Sequence, residues 1–172
     1  MVLKFQAQPT SRLKLRQEAK LYRKQFGCEN GWFDIVGFLE WFLLDKGVDI
    51  EIVEDSEMEI GCESLTYPDE KTIKIPQSVY VAAVDGDCRA RFTLAHELGH
   101  LLKHKEMTGG VFARGNDSIP AYRDPEWQAN TFAAELLSPA DLVKGMSIEE
   151  IVEKFGVSHE CAYIQYQQSF KI

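Results

Sequence analysis

The feature that most constrains this chain is the segment His96-Glu97-Leu98-Gly99-His100, which lies within an apolar stretch. On an α-helix, residues four positions apart lie above one another on the same face. His96 and His100 can therefore point two imidazoles at one metal ion, which is the known use of the HExxH spacing in zinc sites. Glu97 stands where a carboxylate can take a proton from a metal-bound water and pass it on. The spacing predicts a helix that carries a catalytic zinc site.

The same five residues could also occur by chance on an amphipathic helix, with His96 an ordinary core histidine. Three observations favour the metal site. Apolar side chains flank the motif, as a buried active-site helix requires, and two of the chain's four histidines lie inside it. Gly99 allows another element to approach closely, although glycine costs a helix about 1 kcal/mol relative to alanine.

A catalytic zinc site needs a third protein ligand and leaves a fourth position for water. The metzincin pattern is excluded, because Lys103 and Glu106 stand where it requires glycine and histidine. His104 lies one further turn along, and we expect it to interact with the helix dipole or to make a surface contact. The remaining option is a carboxylate from a second helix, and Glu126 near the start of a helix over 125–137 is the candidate. Its alternative interpretation is a charge favoured by a helix N-terminus.

Other residues near Glu126 suggest supporting roles. Asn130, one turn later, is predicted to hold a ligand imidazole by its other ring N–H and so to fix its tautomer. Small Ala133 and Ala134 would let this helix pack closely on the HExxH helix. Glu135 faces nearly opposite Glu126 and is the weaker ligand candidate. Peptide hydrolysis also needs a group that stabilises the oxyanion. The candidates for that group are Tyr67, Tyr122, Arg123 and His159.

Periodicity along the chain indicates an α+β fold. Strand alternation at 48–53 and a hairpin over 64–67 and 71–75, with a turn at Pro68-Asp69-Glu70, predict a small antiparallel three-stranded sheet. The remaining apolar periodicities predict helices that pack around this sheet. These helices cover residues 11–26, 33–45, 87–103, 125–137 and 147–155, with a last one that ends near 170.

With 172 residues, the chain is expected to form a single domain over 1–172. It would carry an N-terminal helical extension at 1–30 and a C-terminal helical segment at 140–172. The formal net charge of -8 argues against direct binding of nucleic acid by the domain as a whole. The basic face of the 11–26 helix is therefore interpreted as a solvated surface.

The chain shows no signal-peptide pattern and no apolar segment of membrane-spanning length, so a cytoplasmic protein without membrane contact is expected. Cys28, Cys62, Cys88 and Cys161 lie far apart and form no CxxC pair. We expect free, buried or half-buried thiols rather than a cysteine zinc site or a redox motif.

Two segments resemble the ImmA/IrrE family of metallopeptidases, the first from Arg91 to Leu102 and the second from Glu126 to Pro139. The resemblance extends over roughly residues 40–170. The family differs at Ser138, where it often has methionine, and at 163–168, where a basic–apolar pair is common. The second difference bears on substrate docking rather than on the chemistry.

The resemblance implies a zincin-like fold with one zinc ion held by His96, His100 and Glu126, and Glu97 as the general base. It also implies a function and a partner. The expected reaction is site-specific cleavage of a helix-turn-helix transcriptional repressor, which would derepress mobile-element or stress genes. The substrate backbone is expected to add a strand to an exposed edge of the small sheet.

Two other classes of function stay open. In the first, the zinc is structural and the protein is a regulatory binding module without proteolytic activity, as in a toxin–antitoxin pair. Glu97 argues against it, because a structural site needs no base beside its ligand. In the second, residues 148–158 and the helix that follows form a DNA-binding helix-turn-helix. That segment is acidic and offers no Arg or Lys between Lys154 and Lys171, which favours a packing or docking role.

Overall fold

The computed structural model describes residues 4–58, 65–67, 72–104, 111–113 and 119–172, with seven α-helices and five strands among them. The order of the elements confirms the predicted α+β class. The strands are β1 (Lys4–Gln6), β2 (Asp49–Val53), β3 (Leu65–Tyr67), β4 (Thr72–Pro76) and β5 (Val111–Ala113). The helices are α1 (Arg12–Gln25), α2 (Ile35–Phe38), α3 (Gln77–Val84), α4 (Cys88–Lys103), α5 (Pro125–Leu137), α6 (Ile148–Phe155) and α7 (His159–Ser169).

The main sheet has three strands, in the order β2-β4-β3. β3 and β4 run antiparallel, as a hairpin requires, with Thr66 opposite Ile73. β2 runs parallel to β4, with Ile50 also opposite Ile73. The prediction of an antiparallel three-stranded sheet is therefore wrong. β4 runs in the same direction as β2 and lies between β2 and β3, so its pairing with β2 is parallel. Alternation along a sequence predicts strands but not their order.

A second pairing was not predicted. β1 and β5 form a two-stranded antiparallel ladder in which Phe5 lies opposite Phe112. Each of these strands has three residues, which is too short for a period-two pattern to stand out. The ladder joins the N-terminal segment to the chain between α4 and α5.

The helices that carry the predicted site form as expected, because their ends have the right capping chemistry. Asp87 caps α4, and its carboxylate accepts from the backbone N–H of Ala90 at 2.8 Å. α5 begins at Pro125, whose missing N–H costs nothing in a first helical turn. The predicted 33–45 helix is instead α2 followed by a π-helical turn at Leu39–Leu43, and α3 was not predicted.

Helices α4 and α5 pack side by side, and α1 packs on the other side of α5. Most side chains of α5 are buried, which is why its sequence shows only a weak polar face. The fully buried residues at the centre of this layer include Leu15, Ala19, Leu94, Leu98, Phe132, Ala133 and Leu136.

The basic face of α1 is partly buried, so its interpretation as a solvated surface is wrong for Arg16 and Arg23 but holds for Lys20 and Lys24. Arg16 donates through Nε and Nη2 to the carboxylate of Glu135, with both distances 3.0 Å. Arg23 donates to the carbonyl of Leu136 at 2.6 Å. These cations are partners for helix-terminal carbonyls of α5 and for the buried carboxylate of Glu135, which also accepts from Arg12 and from the N–H of Ala140. Lys24 is exposed, as expected.

The C-terminal helices α6 and α7 form a hairpin that turns at Gly156, whose φ of 61° lies in the left-handed region. Ile151, Phe155 and Ala162 are fully buried against the rest of the protein. The apolar faces of this helix-turn-helix-like segment are thus used for packing. Whether its outer face meets a substrate stays a prediction.

Three further expectations concern single features. Cys28, Cys88 and Cys161 are free thiols, while Cys62 lies outside the described residues. The predicted turn at 68–70 also lies outside them. Among the helices that the structure describes, none has the length and apolar character needed to cross a bilayer.

Candidate metal centre

His96 and His100 lie one turn apart on α4 and point their rings at the same place. Both side chains are half-buried, and their Nε2 atoms are 2.9 Å apart. The helical spacing therefore gives the relation that the sequence predicted.

Glu126 comes to the same point from the first turn of α5. Its Oε2 lies 3.4 Å from Nε2 of His96, and its Oε1 lies 3.3 Å from Nε2 of His100. The backbone N–H of Glu126 donates to the capping carboxylate of Asp124 at 3.0 Å, which fixes the start of the helix. Glu135, the weaker candidate, is instead bound by Arg16 on the far side of α5. One ligand atom from each of His96, His100 and Glu126 lies within 4.8 Å of the others.

The close approach of α4 and α5 depends on Gly99. A Cβ atom at this position would lie 3.0 Å from the Cα of Ala129 and 3.2 Å from its carbonyl oxygen. The absence of a side chain therefore brings the two helix backbones together between the histidines and Glu126. This confirms the predicted use of Gly99.

The donor set fits a metal ion of the zinc type. Two imidazole nitrogens and one carboxylate oxygen are a common catalytic combination that leaves a position for water. Tetrahedral ligands at zinc distances lie about 3.3 Å from one another. The two carboxylate–imidazole separations of 3.3 and 3.4 Å match this value, and the imidazole–imidazole separation of 2.9 Å is shorter. Small rotations of the two rings would close this difference.

The charges around the centre favour an ionised carboxylate between the imidazoles. The hydrogen bonds to His100 and His96 hold the pKa of Glu126 well below its usual range. Burial acts to lower the pKa of His96, but the hydrogen bond to Glu126 and the charges of Glu97 and Glu126 outweigh it, so this pKa is raised.

Each imidazole also makes a contact through its other ring nitrogen. Nδ1 of His96 lies 2.9 Å from Oδ1 of Asn130, which is the contact that the predicted role of Asn130 needs. Nδ1 of His100 lies 2.9 Å from Nδ1 of His104. His104 is only 3% exposed, so the expectation of a surface or dipole contact is wrong. Burial and the neighbouring His100 lower the pKa of His104 to about 4, which makes it neutral at physiological pH.

The other residues predicted for the site are the general base Glu97 and the four oxyanion candidates. Glu97 is half-buried on α4 next to His96, and its role as a base stays a prediction. Tyr122 and Arg123 form the short 3-10 turn that leads into α5, and His159 is exposed at the start of α7. Tyr67 ends β3, and its side chain lies outside the described part of the chain. The geometry does not select one of these four as the oxyanion group.

A cleft of about 740 Å³ lies between α4, α5 and α7. Asn130, which contacts His96, and Thr93, one turn before Glu97, form its side nearest the metal centre. The sequence contained no signal for it, because its walls come from helices that are distant in the chain. These walls are Cys88, Arg89, Phe92 and Thr93 of α4, Trp127, Asn130, Thr131 and Ala134 of α5, Ser158, Glu160, Cys161 and Ile164 of the α7 end, and Arg12.

Comparison with protein families gives a match over residues 47–165 to Peptidase_M78, the IrrE N-terminal-like domain. The chain belongs to this family. The matched part includes all of α4 and α5, and it confirms the ImmA/IrrE resemblance read from the two motifs. Membership indicates a metallopeptidase kind of activity, which implies a metal ion. The comparison with curated proteins gives no match.

Among solved structures, a Mycobacterium tuberculosis transcriptional regulator has a similar fold, with a TM-score of 0.57 at 17% sequence identity. The similarity covers 87% of this chain and 45% of that protein. The chain therefore spans less than half the length of this neighbour. At this identity the likeness concerns the fold alone.

Proposed function

We propose that the protein is a zinc-dependent endopeptidase with a zincin-like fold that cleaves a helix-turn-helix transcriptional repressor. The observation that carries the proposal is the convergence of His96, His100 and Glu126 on one point beside Glu97, in a chain of a peptidase family. Cleavage of such a repressor would derepress the genes it controls, such as those of a mobile element or a stress response. A cytoplasmic location would follow from that substrate.

The residues at the centre would have separate roles in hydrolysis. When bound, zinc supplies a water that ionises near neutral pH. Glu97, which follows His96 on the same helix, would accept the proton of that water and hand it to the leaving amine. Asn130 and His104 hold the rings of His96 and His100, so the ligands need not reorganise during the reaction.

Two features next to the centre are suited to a polypeptide substrate. β3 is an edge strand of the described sheet, pairs with β4 and packs against α4. A substrate segment added to β3 would run past the helix that carries the metal ligands. The cleft that begins at Thr93 and Asn130 would then receive an apolar side chain of that segment, because Phe92, Trp127 and Ile164 line it.

The metal part of the proposal is tested by measuring metal content. Purified protein is expected to contain close to one zinc per chain by mass spectrometry, and the Glu126→Ala variant much less. Glu135→Gln is not a useful control, because it disturbs the buried pair with Arg16. Asp124→Asn, which keeps a capping oxygen, should retain zinc. A folded wild-type protein that takes up no zinc after addition would refute the proposed centre.

The catalytic part is tested with Glu97→Gln, which keeps the size of the side chain and removes the base. Zinc content and thermal stability are expected to match the wild type, while repressor cleavage is lost. Full regulatory function in this variant would instead favour the binding-module alternative, in which zinc is structural.

The substrate part is tested by incubating the protein with candidate helix-turn-helix repressors and identifying fragments by mass spectrometry. A single cut, absent with Glu97→Gln and with chelator, is the expected result. Thr66→Pro in β3 should abolish that cut while zinc stays bound. Retained cleavage in a folded Thr66→Pro variant would refute strand addition at this edge.

A further inference from the structure

A chain of hydrogen bonds leads from the metal centre into the N-terminal part of the protein. Beyond the contact of His100 with His104, Nε2 of His104 lies 3.2 Å from Oε1 of Gln128. The amide nitrogen of Gln128 donates to the backbone carbonyl of Gln8 at 2.8 Å and to that of Tyr122 at 2.9 Å. Gln128 is 1% exposed, so water cannot replace these partners.

The two carbonyls determine the direction of every bond in this chain. A carbonyl only accepts, so both N–H groups of Gln128 are used and its amide oxygen faces His104 as an acceptor. Nε2 of His104 must then carry the proton. The ring of His104 is 3% exposed and contacts an amide oxygen and another imidazole, so burial keeps it neutral with a single N–H, and its Nδ1 accepts. The donor to that atom is Nδ1–H of His100, so Nε2 of His100, which bonds to Glu126 in the metal-free protein, can offer its lone pair to a metal ion.

We propose that His104 is a positioning residue, which acts through His100 to keep this ligand in the tautomer that metal binding requires. Gln128 acts one step further out, because it fixes the tautomer of His104. The lone pair on Nε2 of His100 is directed to the point that His96 and Glu126 also face. The inference rests on the proposed metal centre but not on the identity of any substrate.

The two histidine ligands are therefore held in different ways. His96 is held by Asn130, whose side chain is exposed and can be replaced by water. His100 is held by a buried chain that ends on backbone atoms of two separate segments. These segments are themselves joined, since the N–H of Thr10 donates to the carbonyl of Tyr122 at 2.9 Å. Loss of His104 should thus reduce metal affinity more than loss of Asn130.

The first test compares zinc affinities by competition with a chromophoric chelator. His104→Leu should weaken zinc binding by about 10- to 100-fold, the usual effect of removing the partner of a ligand histidine. His104→Asn keeps an oxygen acceptor for Nδ1–H of His100 and should lie closer to the wild type. Asn130→Ala should weaken binding less than His104→Leu. Unchanged affinity in a folded His104→Leu variant would overturn the proposal.

Gln128 offers a matched control for general destabilisation. Gln165 is equally buried and donates to the carbonyl of Ser138 at 2.8 Å, but it lies outside the chain to His100. Gln128→Met should weaken zinc binding, whereas Gln165→Met should destabilise the fold and leave zinc affinity unchanged. Equal effects of the two variants on zinc affinity would show that the role is merely structural.

The second test observes the tautomers directly by NMR of ¹⁵N-histidine-labelled protein. In the zinc-bound protein, His104 should be protonated on Nε2 and His100 on Nδ1 alone. A zinc-bound His100 that carries no proton on Nδ1 would refute the direction of the chain. Both readouts are independent of cleavage. Weakened zinc binding in His104→Leu, in a protein that cuts no repressor, would leave this inference standing and refute the proposed substrate.

Discussion

A Cβ atom at Gly99 would lie 3.0 Å from the Cα of Ala129, so the backbones of the two metal-binding helices meet at a position where no side chain fits. Ala129 lies less than one turn after Glu126 on α5. Any side chain at position 99 must therefore move the helix that carries the third ligand. Gly99 controls the geometry of the centre although it is not a ligand.

We expect Gly99→Ala to weaken zinc binding and Gly99→Val to weaken it further, as measured by chelator competition. Stability of the metal-free protein is a poor readout, because alanine improves helix propensity by about 1 kcal/mol and offsets part of the strain. Gly37→Ala is the matched control, since its new methyl group would meet only the movable carboxylate of Asp34. Zinc affinity that is the same in wild type, Gly99→Ala and Gly99→Val would contradict this role.

The buried ion pair between α1 and α5 gives a second prediction. Glu135 is fully buried and Arg16 is 8% exposed, so removal of the carboxylate leaves a buried cation without its partner. Glu135→Ala should lower the free energy of unfolding by about 3–5 kcal/mol. Urea denaturation followed by circular dichroism measures this change.

The control for that experiment is Lys20→Ala on the same helix. Lys20 pairs with Asp141, but half of its side chain is exposed, and such pairs contribute about 0–1 kcal/mol. A double variant, Arg16→Met with Glu135→Leu, should recover most of the stability lost in Glu135→Ala, because the buried Arg16 cation is removed with its partner, while the half-buried Arg12 keeps its contacts with Gln165 and Thr131. If Glu135→Ala costs no more than Lys20→Ala, the pair does not anchor α1.

Gly156, at the turn between α6 and α7, gives a third prediction. Its φ is +61°, and a Cβ atom there would overlap the ring of Trp32 and lie 2.5 Å from Nη1 of Arg91. That arginine is 1% exposed and also donates to the carbonyls of Phe33 and Phe155, at 2.8 and 3.0 Å. Gly156→Ala should therefore destabilise the protein by more than the cost of left-handed backbone alone.

Gly145→Ala separates the two contributions. Gly145 has a φ of +83°, but a Cβ atom there would meet nothing within 4 Å. Gly145→Ala should therefore lower the free energy of unfolding only by the strain of a left-handed backbone, about 1–2 kcal/mol. Unfolding midpoints in urea for both variants give the comparison. Equal midpoints would show that the packing of Trp32 and Arg91 around Gly156 adds nothing.

The sequence predicted those parts of the site that depend on a single helix. The spacing of His96 and His100 follows from helix geometry, and the boundaries of α4 and α5 follow from Asp87 and Pro125. The pairing of Glu126 with the histidines needed two helices to meet, and the small residues at the contact gave the necessary hint. Local sequence patterns were thus enough to name the three residues that meet at the candidate centre.

The features that the sequence did not predict depend on contacts between distant segments. The spacing of His104 from His100 was visible, but its partner Gln128 lies on another helix and is itself held by the carbonyl of Gln8, 120 residues before Gln128. Arg16 looked like a surface charge, because its buried partner lies 119 residues away. The parallel pairing of β2 with β4 reflects strand order, which alternation does not encode.

The buried His104 predicts a pH dependence for the metal-free protein. Its pKa falls from the model-peptide value of 6.5 to about 4 on folding, mainly because burial disfavours the charged ring. Between pH 4 and 6.5 the unfolded chain binds more protons at this site, so stability rises with pH across this window and is lost as pH falls. This lowering of the His104 pKa corresponds to about 3 kcal/mol of stability.

This contribution is isolated by measuring the free energy of unfolding from pH 4 to 7.5 in chelator-treated wild type and in His104→Asn. Glu126, with its lowered pKa, adds stability that is lost as pH falls, whereas His96, with its raised pKa, acts in the opposite sense; both contributions are shared by the two proteins. The difference between the two curves should therefore change by a few kcal/mol across the window. His159→Asn, at an exposed site, should give a curve parallel to the wild type. A parallel curve for His104→Asn as well would mean that His104 is not held neutral in the fold.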